Sequence, residues 1–208
     1  MSNLPKRFLG ACVLWAVLFV LPWTACGALI EVGQIDLLPN LPGQVVTLKI
    51  SGVDQIAGMD FFAQVGDGGP ELVLFGLEAG TDGPGMTDVD LESGIFLGNN
   101  GGQTDMLGGS IPQLVGFGIS TTSGTVASLG DLVTITFDTT GFSAGTWDFA
   151  LKGTLAGDTT LYNANAGVIP LEITPGLLNV VPEPASLLLV VCGLGIGGVV
   201  WLRRRRTP

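Results

Sequence analysis

Along the middle of the chain, apolar and polar residues alternate with a period of two in several separate runs. In Val45-Val46-Thr47-Leu48-Lys49-Ile50, Val46, Leu48 and Ile50 fall on one side and Thr47 and Lys49 on the other, with Gly43 before the run and Ser51-Gly52 after it. A strand sends successive side chains to opposite faces, so the pattern predicts a half-buried strand. Leu132 to Phe137 repeats it, with Val133, Ile135 and Phe137 inward against Leu132, Thr134 and Thr136. Trp147, Phe149 and Leu151 alternate in the same way against Asp148, Ala150 and Lys152. Shorter apolar runs at Met59 to Val65, Glu71 to Phe75, Val115 to Ile119 and Leu177 to Val180 are bounded by Gly, Pro and Asp. No long stretch carries a helical stripe of period 3.6. Together these runs predict an all-β fold, a two-layer antiparallel sandwich. Burial of Trp147, Phe149, Phe137 and Phe61 is expected to contribute about 2 kcal/mol each.

Composition agrees with this pattern and narrows it. The 208 residues suit one ordinary domain with accessory segments, and 33 glycines with 12 prolines supply turns. Disorder of the middle is the alternative that so much glycine allows, but the regular apolar runs bury enough surface to fold. Charge is distributed unevenly. Lys6 and Arg7 stand at the start and Arg203, Arg204, Arg205 and Arg206 at the end. Between Ala28 and Val181 two cations, Lys49 and Lys152, stand against 17 acids, a net of −15. Such a segment repels phosphate backbones, which excludes nucleic acid as a partner and leaves divalent cations as the natural small one. Cys12, Cys26 and Cys192 all lie outside the middle segment, so no disulfide forms within it.

The two ends read as membrane signals. Lys6-Arg7, an apolar run from Phe8 to Val20, and the small residues Ala25-Cys26-Gly27-Ala28 follow the order of a secretory signal peptide, residues 1–27. Cleavage after Gly27 fits the small-residue rule, as does cleavage one or two residues away. Trp23-Thr24-Ala25-Cys26 is similar to a lipoprotein box but has tryptophan where leucine is wanted. Ala185 to Leu202 is an uncharged apolar run long enough to span a bilayer as a helix. The four arginines directly after it keep its end cytoplasmic, so the acidic domain faces outward. Gly193 and Gly197 have the spacing of a helix-dimer motif, though small residues are common in membrane helices generally. Before the run, Val181-Pro182-Glu183-Pro184 keeps the backbone extended at the membrane face.

The segment 181–208, with Val-Pro-Glu-Pro-Ala-Ser, a glycine-containing apolar helix and a basic stop, resembles the PEP-CTERM sorting signal of bacterial envelope proteins. The resemblance implies recognition of Pro182, Glu183 and Pro184 by an exosortase, a membrane-embedded enzyme with its own cysteine nucleophile. Glu183 is then substrate and not catalyst. It further implies export through the secretion translocon in a Gram-negative-type bacterium that makes exopolysaccharide, with transient anchoring in the inner membrane, the ectodomain in the periplasm, and later release to the outer surface or matrix.

Gly43-Gln44-Val45-Val46-Thr47-Leu48, Gly130-Asp131-Leu132-Val133-Thr134-Ile135-Thr136-Phe137, Gly145-Thr146-Trp147-Asp148-Phe149 and a last strand at Gly176-Leu177-Leu178 are together similar to the cohesin-type jelly roll, across about Ile30 to Val180. The resemblance lies in strand spacing and glycine starts. It implies a jelly-roll β-sandwich ectodomain over residues 28–180, between an N-terminal signal helix and the C-terminal transmembrane helix. It also implies a partner protein, although carbohydrate-binding modules share such sandwiches.

Little in the middle segment suggests catalysis. The chain has no histidine and the middle no cysteine, which removes imidazole metal chemistry and Cys/His nucleophiles. The densest acid cluster, Asp82, Asp88, Asp90 and Glu92, reads as a loop in which hard oxygen ligands gather around Ca²⁺, against the alternative of a solvated acidic turn. It is not an EF-hand, because Ser93 and Asn99 stand where that loop needs glycine and glutamate. The expected role is a structural or adhesive envelope protein, the alternative a carbohydrate- or protein-binding surface module, with exopolysaccharide or another surface protein as partner. A lone Tyr162 and a lone Trp147 between the terminal signals count against sugar stacking.

Overall fold

A computed structural model describes residues 27–75, 80–108, 111–153 and 157–181. The strands are β1 (Ala28–Glu31), β2 (Gln34–Leu37), β3 (Gln44–Ser51), β4 (Gln55–Ile56), β5 (Gly58–Val65), β6 (Gly85–Asp90), β7 (Thr104–Asp105), β8 (Leu114–Ser120) and β9 (Val126–Ala127). They continue with β10 (Gly130–Asp138), β11 (Gly145–Ala150), β12 (Lys152–Gly153), β13 (Gly157–Asp158), β14 (Thr160–Tyr162), β15 (Val168–Ile169), β16 (Leu171–Thr174) and β17 (Gly176–Val180). One layer runs β16-β1-β3-β10-β6, and the other β15-β14-β5-β11-β17-β2 with β8 and then β7 on the free side of β5. β4 with β9 and β12 with β13 form small ribbons.

Alternation drives the layering as the sequence predicts. Leu48 and Ile50 are buried while Thr47 and Lys49 are exposed, and Ile135 and Phe137 are buried between half-buried threonines. Phe61, Phe137 and Phe149 are fully covered. β5 is buried along almost its whole length because β8 lies on one side, β14 and β11 on the other, and both faces are packed.

Four expectations change. Leu132, expected to face outward, is fully buried: the β3–β10 register skips it between Asp131 and Val133, and this one-residue bulge turns its side chain inward. Trp147 is only partly buried, its ring packed edge-on against Phe142 at 5.5 Å. Residues Pro70–Phe75, whose apolar run suggested a strand, form a 3-10 helix, with Pro70 at the first position, where its missing N–H costs nothing, and Glu71 in the first turn. The sandwich is also not wholly antiparallel.

That last difference has a local cause. The N-terminal segment crosses from the first sheet to the second at Val32-Gly33, where Gly33 has φ 68°, and so supplies both β1 and β2. The C-terminal segment makes the same crossing at Pro175, supplying β16 and β17. Travelling together, they pair in parallel in both layers, Ala28 with Leu171 and Leu177 with Gln34. Gly176 lies so close to the Gly33 carbonyl and the Val32 side chain that no Cβ fits there.

The signal peptide expected over 1–27 lies, but for Gly27, outside the described residues, and so does all of the sorting segment after Val181. Among the described residues no helix is long and apolar enough to cross a membrane.

Candidate binding groove

The crossing of the N-terminal strand opens the side of the sandwich. β3 pairs with β10 from Gln44 to Ile50, but with β1 only at Ile50 and Ser51. Among the described residues β2 pairs with β17 alone. Among the described residues, therefore, residues 45–49 of β3 have no strand partner on the β1 side. Alternate backbone N–H and C=O groups point from that edge into a groove of about 810 Å³.

The groove is built from both sheets. Ile35 of β2 and Val46 and Leu48 of β3 contribute core side chains to its lining. Glu31, Asp36 and Lys49 contribute charge, and Val45 and Leu129 contribute apolar surface that is 63% and 69% exposed. Gln44 latches one end: its side-chain oxygen accepts from the Leu38 N–H at 2.6 Å and its amide donates to the Leu38 carbonyl at 2.9 Å. Lys49 reaches Asp131 at 3.6 Å, an exposed pair that offsets its charge while adding little stability. Asp36 accepts from Gln34 at 2.8 Å and from Asn179 at 3.2 Å, which holds its carboxylate on the β2 side.

A second cleft of about 510 Å³ lies on the outer face of the other layer, between β5, β8 and β14. There the Tyr162 hydroxyl donates to Asp60 at 2.7 Å. That bond, with burial and the Asp60 charge adding to it, holds the Tyr162 hydroxyl above its ordinary value. Sequence reasoning passed over this pair, although a lone acid inside the apolar run of Met59 to Val65 was a signal.

The structure does not make a loop of the expected calcium cluster. Asp88 and Asp90 lie in β6, opposite Thr136 and Thr134 of β10. Asp90 accepts from the Glu92 and Ser93 amides at 2.8 and 3.1 Å, and Glu92 accepts from the Gln103 amide at 2.9 Å. These carboxylates therefore organise the turn that follows β6. Burial pushes the Asp90 carboxyl up, but the bonds from Ser93 and Glu92 outweigh it and hold it below the ordinary range. Asp82 lies apart, lining a hollow with Asp138. Among the described residues no three His, Cys, Asp or Glu side chains gather as metal ligands. Pro182, Glu183, Pro184 and Arg203 to Arg206 lie outside the described residues.

No protein-family model matches the chain, and no curated protein matches it in sequence. Its fold does match solved structures. A non-cellulosomal cohesin from the hyperthermophilic archaeon Archaeoglobus fulgidus aligns over 77% of this chain and 95% of its own, with a TM-score of 0.51 and 13% identity. The sixth cohesin of scaffoldin B from Acetivibrio cellulolyticus, solved in complex with a Cel5 dockerin, aligns over 76% of this chain and 100% of its own, with a TM-score of 0.51 and 17% identity. A type I cohesin–dockerin complex from Clostridium thermocellum gives a TM-score of 0.51 at 11% identity, over 74% and 99% of the two chains. At these identities the likeness concerns the fold: the described residues form a cohesin-like β-sandwich.

Proposed function

We propose that the chain is an exported cell-envelope protein whose cohesin-like sandwich binds another surface protein and whose C-terminal segment is sorted by an exosortase. The observation that carries this reading is where the sandwich ends. Val180 is buried as the last residue of β17, and the Val181 amide donates to the Leu37 carbonyl at 2.9 Å. The next residues are Pro182-Glu183-Pro184, so the closed module is joined with no intervening linker to the segment that resembles a sorting signal. Two relatives in fold were solved with dockerin partners, which supports a protein as the ligand here. The acidic surface suits a domain that faces outward from an anionic envelope and stays soluble there.

In this reading the translocon exports the chain, the apolar run 185–202 holds it in the inner membrane, and Arg203 to Arg206 stop transfer. The exosortase then recognises Pro182-Glu183-Pro184 and releases the module to the outer surface or the polysaccharide matrix. The test is to replace Pro182, Glu183 and Pro184 together with alanine and follow the protein by fractionation. The expected result is accumulation of an unprocessed form in the inner membrane. Unchanged processing and surface delivery would contradict the sorting role.

A further inference from the structure

Sheet edges exposed to solvent are ordinarily blunted by charge, proline or a bulge, because an unpaired edge is a template for another strand. Residues 45–49 of β3 are poorly blunted. They contain no proline, Val45 is 63% exposed at one end, and their one charge, Lys49, leans on Asp131 at 3.6 Å. The edge faces a groove whose lining includes core side chains from both layers.

We propose that this groove takes an extended cationic peptide segment of a partner protein, which adds to β3 as a strand. Main-chain hydrogen bonds to residues 45–49 supply affinity, and the period of two directs alternate side chains toward Val46 and Leu48. Five strand residues span about 17 Å, so the recognised segment is short. Charge selects the occupant. Glu31 and Asp36 line the groove, Lys49 is offset by Asp131, and the segment from Ala28 to Val181 carries 17 acids against two cations. A second copy of so acidic a chain is repelled from this edge, whereas lysines and arginines of an extended segment are drawn to it. The proposal deepens the protein-binding reading above and rests on it.

The test uses the full chain in detergent micelles and three synthetic probes: a seven-residue peptide of alternating lysine and valine, its glutamate–valine counterpart, and the lysine–valine peptide N-methylated along one edge. The lysine–valine peptide is expected to bind and to slow hydrogen exchange of alternate amides within residues 45–49 at least tenfold. N-methylation is expected to weaken it more than tenfold, as is Glu31→Lys, an exposed change that leaves the melting temperature in place. No binding of the lysine–valine peptide, equal binding of the glutamate–valine peptide, or binding without protection of residues 45–49 would overturn the proposal. So would protection of those amides in a peptide-free dimer, which would make a second copy the occupant. A surface protein that binds the chain while leaving exchange at residues 45–49 unaltered would overturn the groove proposal and leave the binding-module reading standing.

Discussion

The rings of Phe137 and Phe149 meet edge-on across the two layers, their centroids 5.7 Å and their planes 74° apart. One belongs to β10 and the other to β11, and neither exposes any surface. This contact ties the layers together at the centre of a domain that has no disulfide. Phe149→Ala is expected to cost about 3–5 kcal/mol through lost burial and the cavity left behind. Phe149→Leu, closer in volume, is expected to cost less, and urea unfolding midpoints measure both.

The parallel closure of β2 on β17 depends on Gly176. A methyl group there collides with the Gly33 carbonyl and the Val32 side chain, both at the crossing between layers. Gly176→Ala is expected to destabilise by roughly 1–3 kcal/mol, the usual range for overpacking. Thermal melting reads the loss. Gly101→Ala, at a site with open space around it and, like Gly176, without a positive φ, is the control for the loss of a glycine alone.

The bond from Tyr162 to Asp60 makes stability depend on alkaline pH. The folded hydroxyl titrates above the ordinary value of 10.0, so the folded state holds that proton more tightly than the unfolded chain does. The contribution is complete below pH 10 and is lost as pH rises through the folded value. Tyr162→Phe is expected to remove about 1 kcal/mol at neutral pH and to flatten the stability profile above pH 10.

Acid acts in the opposite sense at Asp90. Its folded carboxyl titrates below the ordinary 3.8, so its contribution is complete above that value and is lost as pH falls through the folded one. Denaturant midpoints are therefore expected to fall below about pH 4. In Asp90→Asn, which keeps an acceptor for the Glu92 and Ser93 amides, that fall is expected to shrink.

What the sequence discloses is the strand whose two faces differ. β3, β10 and β11 were legible because one face meets the core and the other meets water. Glu71 to Phe75 was misread because a short apolar run has no period of its own, and Pro70 before it decided for a helical turn. Leu132 was misplaced because a bulge alters the count without altering composition. Asp88 and Asp90 looked like a loop because acids and glycines cluster there, yet Met86 and Val89 pack inward and make β6 a strand. The groove could not be read at all: it exists because β1 leaves β3 after two residues, and no local pattern encodes where a partner strand stops.

The most direct test of the account is mass spectrometry of the mature protein recovered from the cell exterior. Export and sorting predict a chain that begins near Ala28 and ends close to Pro182-Glu183-Pro184, with 1–27 and the arginine cluster gone. Full-length protein with both ends intact, confined to the cytosol, would contradict it.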